Sequence, residues 1–172
     1  QSKMTGNIVF VLLPPLSHGE FFCAYLLAAV ARGVVVGAGV FIATVWFVDL
    51  RLVHPLWTAA FALAGSGVMG TLGIIAGIHS DKVDELAAFQ NFIILPLTFL
   101  SGVFYSIQSL PPFWQAASHL NPIFYMVDGF RFGFFGASDV SPWFSLAIVG
   151  ASFFALSFFT LWLLRSGYKL RH

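Results

Sequence analysis

Residues 90–131 read QNFIILPLTFLSGVFYSIQSLPPFWQAASHLNPIFYMVDGFR, and the run from Leu86 to Val127 around them holds no Asp, Glu, Lys or Arg. A hydrocarbon core of about 30 Å is crossed by about 20 apolar residues rising about 1.5 Å each, so Leu86 to Ile107 is long enough to span it. The next two apolar pieces are not. Pro111 to Leu120 and Pro122 to Phe135 are shorter and are parted by an Asn-Pro break. Pieces of that length favour re-entrant or interfacial helices over full crossings. The stretch therefore predicts one membrane span feeding two half-helices, with residues 108–141 forming an external re-entrant region.

The rest of the composition requires the same solvent. Charged residues are 9% of the chain and hydrophobic residues 59%, against about 25% charged in a soluble domain, so too little polar surface exists to cover a soluble globule. A net charge of +1 points to neither nucleic acid nor an acidic partner. Cys23 is the single cysteine, has no internal disulfide partner, and is read as a packing residue.

Upstream of the quoted stretch lies the most polar loop, HSDKVDE at residues 79–85. Asp81, Asp84 and Glu85 there suit the positive N-terminal end of the third span. With His79 they also invite a metal reading, which is rejected because the spacing matches no zinc pattern. A second span is expected from Pro55 to Ile78, with proline at the first helical position. It carries Gly65, Ser66, Gly67, Gly70, Gly73 and Gly77. Ser66 with Gly70, and Gly73 with Gly77, are four apart and let another helix approach closely, as do Gly33 and Gly37 on the first span. Packing within the subunit is the expected use.

The first span is read from Phe21 to Val48 and exceeds the core thickness, so it tilts or protrudes. Arg32 sits inside it. An arginine at mid-membrane costs about 2.5–3.5 kcal/mol on insertion scales. That makes Arg32 a candidate for a path or an interface unless its stem snorkels to the headgroups. Gln90 and Asn91, the polar pair opening the quoted stretch, join it as path or interface candidates. Before this span, Ile8 to Leu13 form an apolar run too short to cross, stopped by Pro14 and Pro15. It reads as an interfacial helix. Ser17 and Glu20 then make an S-x-x-E capping box that starts a new helix near Gly19.

Downstream, Ser141 and Pro142 announce a fourth span from Trp143 to Leu164, followed by Arg165, Lys169 and Arg171. Basic residues at a span end mark the cytoplasmic side. Counting back puts residues 108–141 outside, the 79–85 loop inside, the turn at Asp49 to His54 outside and Lys3 inside, so both ends face the cytoplasm. In the external region Asn121 and Pro122 read as the cap and first residue of the second half-helix. Asp128 and Arg131, three apart, are positioned to pair, which is what makes charge tolerable there. Phe113, Trp114, Phe124, Tyr125, Phe130, Phe132, Phe134 and Phe135 are expected to anchor the region at headgroup depth. The fold class is thus all-α integral membrane: four transmembrane helices, two external re-entrant half-helices and an N-terminal cytoplasmic interfacial helix.

Taken in order, LPLTFLSGVFY, the SLPP turn and LNPIFYMVDGFR resemble the closing part of an ABC-2 type permease, the membrane subunit of a class of ATP-binding cassette exporters. The family has six spans after an interfacial helix. The resemblance runs from the loop after the second span to the end, so residues 1–172 correspond to a C-terminal portion that lacks the first two spans. It implies that residues 1–19 are the cytoplasmic coupling segment, with Gly6, Asn7, Ile8, Leu12, Leu13, Pro14, Pro15, Ser17 and Glu20 meeting the ATPase. Within the external region Asn121, Pro122, Tyr125, Asp128 and Arg131 are the candidates for an outer gate, the alternative for the Asp128–Arg131 pair being local stabilisation of its helix. The resemblance also implies a second permease subunit, homo- or heterodimeric, a separate nucleotide-binding subunit and a bacterial inner-membrane location.

The sequence holds no G-x-x-x-x-G-K-[ST] phosphate loop, no H-E-x-x-H and no G-x-S-x-G. The expectation is therefore a transporter subunit, not an enzyme, that binds no cofactor itself and is driven by ATP on its partner. Two other classes compete with it: an integral-membrane enzyme acting on lipid-linked substrates, and a non-transporting membrane scaffold.

Overall fold

The structure, a computed structural model, describes residues 17–48, 52–103 and 107–166. Among them every regular element is helical: α1 (His18–Val45), α2 (Pro55–His79), α3 (Val83–Phe89), α4 (Leu95–Phe99), α5 (Pro112–His119), α6 (Pro122–Phe135) and α7 (Pro142–Ser166). A π-turn at Gln90–Ile94 joins α3 to α4, and a 3-10 turn at Ile107–Ser109 precedes α5. Three helices, α1, α2 and α7, are long and apolar enough to cross a membrane.

The start of α1 is set by its cap. The Ser17 N–H donates to Glu20 Oε2 at 2.7 Å and the Glu20 N–H donates to Ser17 Oγ at 3.2 Å, so two backbone donors of the first turn are satisfied reciprocally. The helix begins at His18, within one residue of the Gly19 start that the capping box predicts, and ends at Val45, about one turn before the Val48 end read for the span. Cys23 is exposed, not packed as expected.

Small residues bring α1 and α2 together. A Cβ added at Gly33 would stand 2.5 Å from Ser66 Oγ, and one at Gly70 would stand 2.8 Å from Ala29 Cβ. These two crossings are the within-subunit packing that the glycine spacing predicts. Gly37, Gly73 and Gly77 take no part, since an added Cβ there meets nothing within 4 Å.

The third expected span, Leu86 to Ile107, is not one long helix. It starts at Val83, widens into the π-turn, and ends at Phe99, followed by a turn and by Gly102 at φ 77°. Pro96 accounts for the widening. Proline has no N–H, and its ring crowds the carbonyl four residues back, that of Phe92. The turn before it opens so that the Leu95 N–H reaches Gln90 O instead. Asp84 and Glu85 do fall in the first turn of α3, and Glu85 accepts the Asp81 N–H at 2.7 Å.

Helices α2, α6 and α7 make the core, centred on Phe61, Val68, Phe124 and Val149. A second cluster of Phe22, Ile78, Leu163 and Leu164 closes the other end, between α1, α2 and α7. Helix α6 lies antiparallel along the first half of α2. Met126 sits over Gly65, Gly129 over Phe61, and Gly133 over Thr58. Gly129 and Gly133 make this possible, because each leaves the space a side chain would fill: an added Cβ would overlap the Phe61 ring at the first and Thr58 Oγ1 at the second. The His54 N–H also donates to Gly133 O at 2.9 Å, and the His54 ring stacks on Phe132. Of the aromatic residues expected to anchor the region, Phe124 and Tyr125 are buried in this core, whereas Phe113 and Phe135 are exposed.

Between apolar surfaces in lipid, close contact supplies what transfer from water supplies in a soluble core. Replacing Gly129 by Ala is therefore expected to cost about 1–3 kcal/mol through overpacking against Phe61. Replacing Gly73, which faces open space, is expected to stay within about 0.5 kcal/mol. Thermal unfolding of the two variants in detergent micelles measures this, and equal shifts would contradict the packing role of Gly129.

Candidate functional site

The five residues expected to form an outer gate share one helix. Asn121 caps α6, its Oδ1 accepting the Ile123 N–H at 3.0 Å, and Pro122 occupies the first position. Asn121 is 2% exposed and its amide is used twice. The Nδ2 group donates to Leu97 O, 24 residues back in α4. That carbonyl lies in the last turn of α4, where helix carbonyls lose their partners. The Ser101 N–H, which would have reached it, turns to Thr98 O instead.

Two further residues of α6 do the same for other chain ends. Tyr125 donates its hydroxyl to His119 O at 2.8 Å, satisfying the last turn of α5. Asp128 is 1% exposed. Its Oδ1 accepts the Asp139 N–H at 2.7 Å and its Oδ2 accepts the Val140 N–H at 3.2 Å, which fixes the loop leading into α7. Asn121, Tyr125 and Asp128 are spaced four and three apart, so they form one stripe on α6. The stripe turns toward α4, α5 and the α6–α7 loop, while the small face of Met126, Gly129 and Gly133 turns toward α2.

Arg131 completes the site. Its Nη2 lies 2.9 Å from Asp128 Oδ1 and also contacts Asp139 Oδ2, so one guanidinium bridges two acids. Asp128 is the partner expected from the spacing, and Asp139 is one that the spacing does not reveal. The sequence signal for it is the short polar tail ASD after the helix-ending Gly136, which turns left-handed at φ 69° and folds the chain back onto α6. The GxxxG of Gly129 and Gly133 is equally visible in the sequence, beside the larger glycine set of α2. The dependence of Asp128 on Arg131 is weaker than the sequence suggests, since two backbone donors hold the carboxylate as well.

The other candidates lie elsewhere. Gln90 and Asn91 are on the π-turn, away from this stripe. Arg32 is exposed on α1 and lines a groove of about 820 Å³ between α1 and α2. Ser17 and Glu20 form the α1 cap, and Gly6, Asn7, Ile8, Leu12, Leu13, Pro14 and Pro15 lie outside the described residues. Among the described residues no group of three or more His, Cys, Asp or Glu is gathered to hold a metal.

Residues 1–135 match the ABC-2 type transporter family. The chain is 40% identical over 140 residues to the inner membrane transport permease YadH of Escherichia coli K12, a region covering 81% of this chain and 54% of that protein. The YadH proteins of Escherichia coli O157:H7 and Shigella flexneri match to the same extent. The chain thus spans about half the length of the curated relatives it matches. No solved structure matches it.

The hydrogen-bond pattern ranks two substitutions. Asp128→Ala removes a buried carboxylate and leaves the Asp139 and Val140 N–H groups without their acceptor, at an expected cost of about 3–5 kcal/mol. Arg131→Ala leaves Asp128 with both backbone donors and is expected to cost about 1 kcal/mol, as for a part-exposed ion pair. Denaturant or thermal titration in micelles reads the order, and a larger loss for Arg131→Ala would contradict the backbone role of Asp128.

Proposed function

This chain belongs to the ABC-2 type transporter family, and on that premise we propose that it forms the C-terminal part of an exporter's membrane subunit, enclosing a substrate path driven by a separate ATPase subunit. What carries the reading is the 40% identity to YadH, an inner membrane transport permease. With α1, α2 and α7 long and apolar enough to cross, the chain is an integral membrane protein.

In this reading the segment from Val83 to Phe99 is the third of four crossings, its 17 residues rising about 26 Å. Helices α5 and α6 are re-entrant and close the path from outside. Support comes from α6 lying along the first half of α2, where Met126 meets Gly65, Gly129 meets Phe61 and Gly133 meets Thr58, an overlap that suits a half-helix. The polar stripe gives the gate a fixed shape: Asn121 ties it to α4, Tyr125 to α5, and Asp128 to the loop before α7. Residues 1–19 dock the ATPase. Nucleotide binds on that partner, and a second permease subunit completes the path. Both ends face the cytoplasm of a bacterial inner membrane.

Orientation is tested with cysteines at Ser138 and at Ser166 in a Cys23→Ser background, since Cys23 is exposed and would itself react. An impermeant thiol reagent applied to intact cells is expected to label position 138 and spare position 166. Equal labelling of the two would contradict the orientation.

Coupling is tested by affinity capture. A tagged chain in its native membrane is expected to retain a subunit carrying a phosphate-loop ATPase. Replacing Leu12 and Leu13 together by Asp should release it about tenfold or more, because charge in a small apolar contact costs several kcal/mol. Retention undiminished in that double variant would remove residues 1–19 from the contact.

A further inference from the structure

The segment from Val83 to Phe99 is held at both ends and loose in its middle. At its start, the three residues Ser80 to Lys82 join it to α2. Ser80 is 5% exposed and its N–H donates to Ala76 O at 2.9 Å, the Asp81 N–H is taken by Glu85, and Leu86 lines the α1–α2 groove together with Ile78. At its finish, Leu97 packs against the core of α2, α6 and α7 while its carbonyl accepts from Asn121. Between these ends the π-turn buries no residue, and Phe92 is 81% exposed.

The backbone is weakest at the same place. The Leu95 N–H is committed to Gln90 O and Pro96 has no N–H, so the Asn91 carbonyl lacks the helical donors both four and five residues on. A bond that closes over five residues also holds one residue more than an α-turn does. That extra residue is slack. With both ends pinned, slack and a missing bond at the centre let the segment bend there while its ends stay in place.

We propose that this segment is a bow hinged at Gln90–Ile94, exchanging a bent and a straighter form while α3 stays on α2 and α4 stays on α6. Each arm is about 13 Å long, so a kink of about 20° shifts the middle by about 2 Å. The residues carried sideways include Gln90 and Asn91, both exposed, so the bow moves a polar pair without breaking the Asn121 tie. The inference rests on bonding within this chain and does not depend on transport or on the ATPase.

Fluorine NMR of the full protein in lipid nanodiscs tests this, with trifluoromethyl-phenylalanine placed singly at Val83, Phe92 or Phe99, all of them exposed. Two resonances linked by exchange are expected at position 92, and one at each end. That pattern is required of the unaltered chain, whatever a variant does. Deleting Ile93 puts Leu95 four residues after Gln90, and Pro96→Ala in the same chain returns the missing donor. Together they remove the slack, so the minor resonance at 92 should fall about tenfold or more while those at 83 and 99 stay where they were. A single sharp resonance at 92 in the unaltered chain, doubling at all three positions, or a minor resonance undiminished in the straightened variant would each overturn the inference.

Discussion

A helix that stops where water is excluded leaves carbonyls with nothing to accept from, and this constraint shapes the protein interior after α3. Two helix ends fall there, those of α4 and α5, along with the loop into α7. All three are served from one stripe of α6. Asn121 reaches Leu97 O, Tyr125 reaches His119 O, and Asp128 takes the N–H groups of Asp139 and Val140. The chain can therefore break and turn back without water.

A neighbouring face of α6 solves a packing problem. Polar side chains alone would orient the helix loosely, but Gly129 and Gly133 let it sit directly on Phe61 and Thr58 of α2. Hydrogen bonds set which residues meet, and close contact sets how near. In lipid neither is backed by water-driven burial, so both are needed. The same logic at Gly33 and Gly70 binds α1 to α2, although there the contact covers part of the face and leaves the groove beside Arg32.

Much of this is legible in the chain. The long helices come from apolar run length and from proline and serine at their starts, and α6 runs from Pro122 to Phe135 as read. The capping box at Ser17 and Glu20 needs only local sequence, and it forms. Effects of distance are not legible in the same way. Nothing local tells Asn121 that its amide meets a carbonyl 24 residues back, or tells Asp139 that it shares Arg131 with Asp128. The π-turn escapes for another reason. Pro96 is visible, but proline permits either a kink or a widened turn, and neighbouring contacts choose between them. The burial of Phe124 and Tyr125 is not legible because an aromatic residue in an apolar run looks the same whether it meets lipid or another helix.

The central proposal is that the chain folds back after α4, with α6 descending beside α2 from Gly136 past Met126 on Gly65 to Asn121 deep in the membrane. Spin labels at Leu120 and at Phe135, both exposed side chains, read this directly in reconstituted bilayers. Collision with oxygen, which concentrates in lipid, is compared with collision with a water-soluble nickel chelate. The account predicts a label at 120 that is oxygen-rich and nickel-poor, and a label at 135 at headgroup depth, separated by about 22 Å along the helix. Labels at equal shallow depth would mean that α6 lies on the surface, and a nickel-accessible label at 120 from the opposite side would mean that it crosses. Either result would contradict the fold-back.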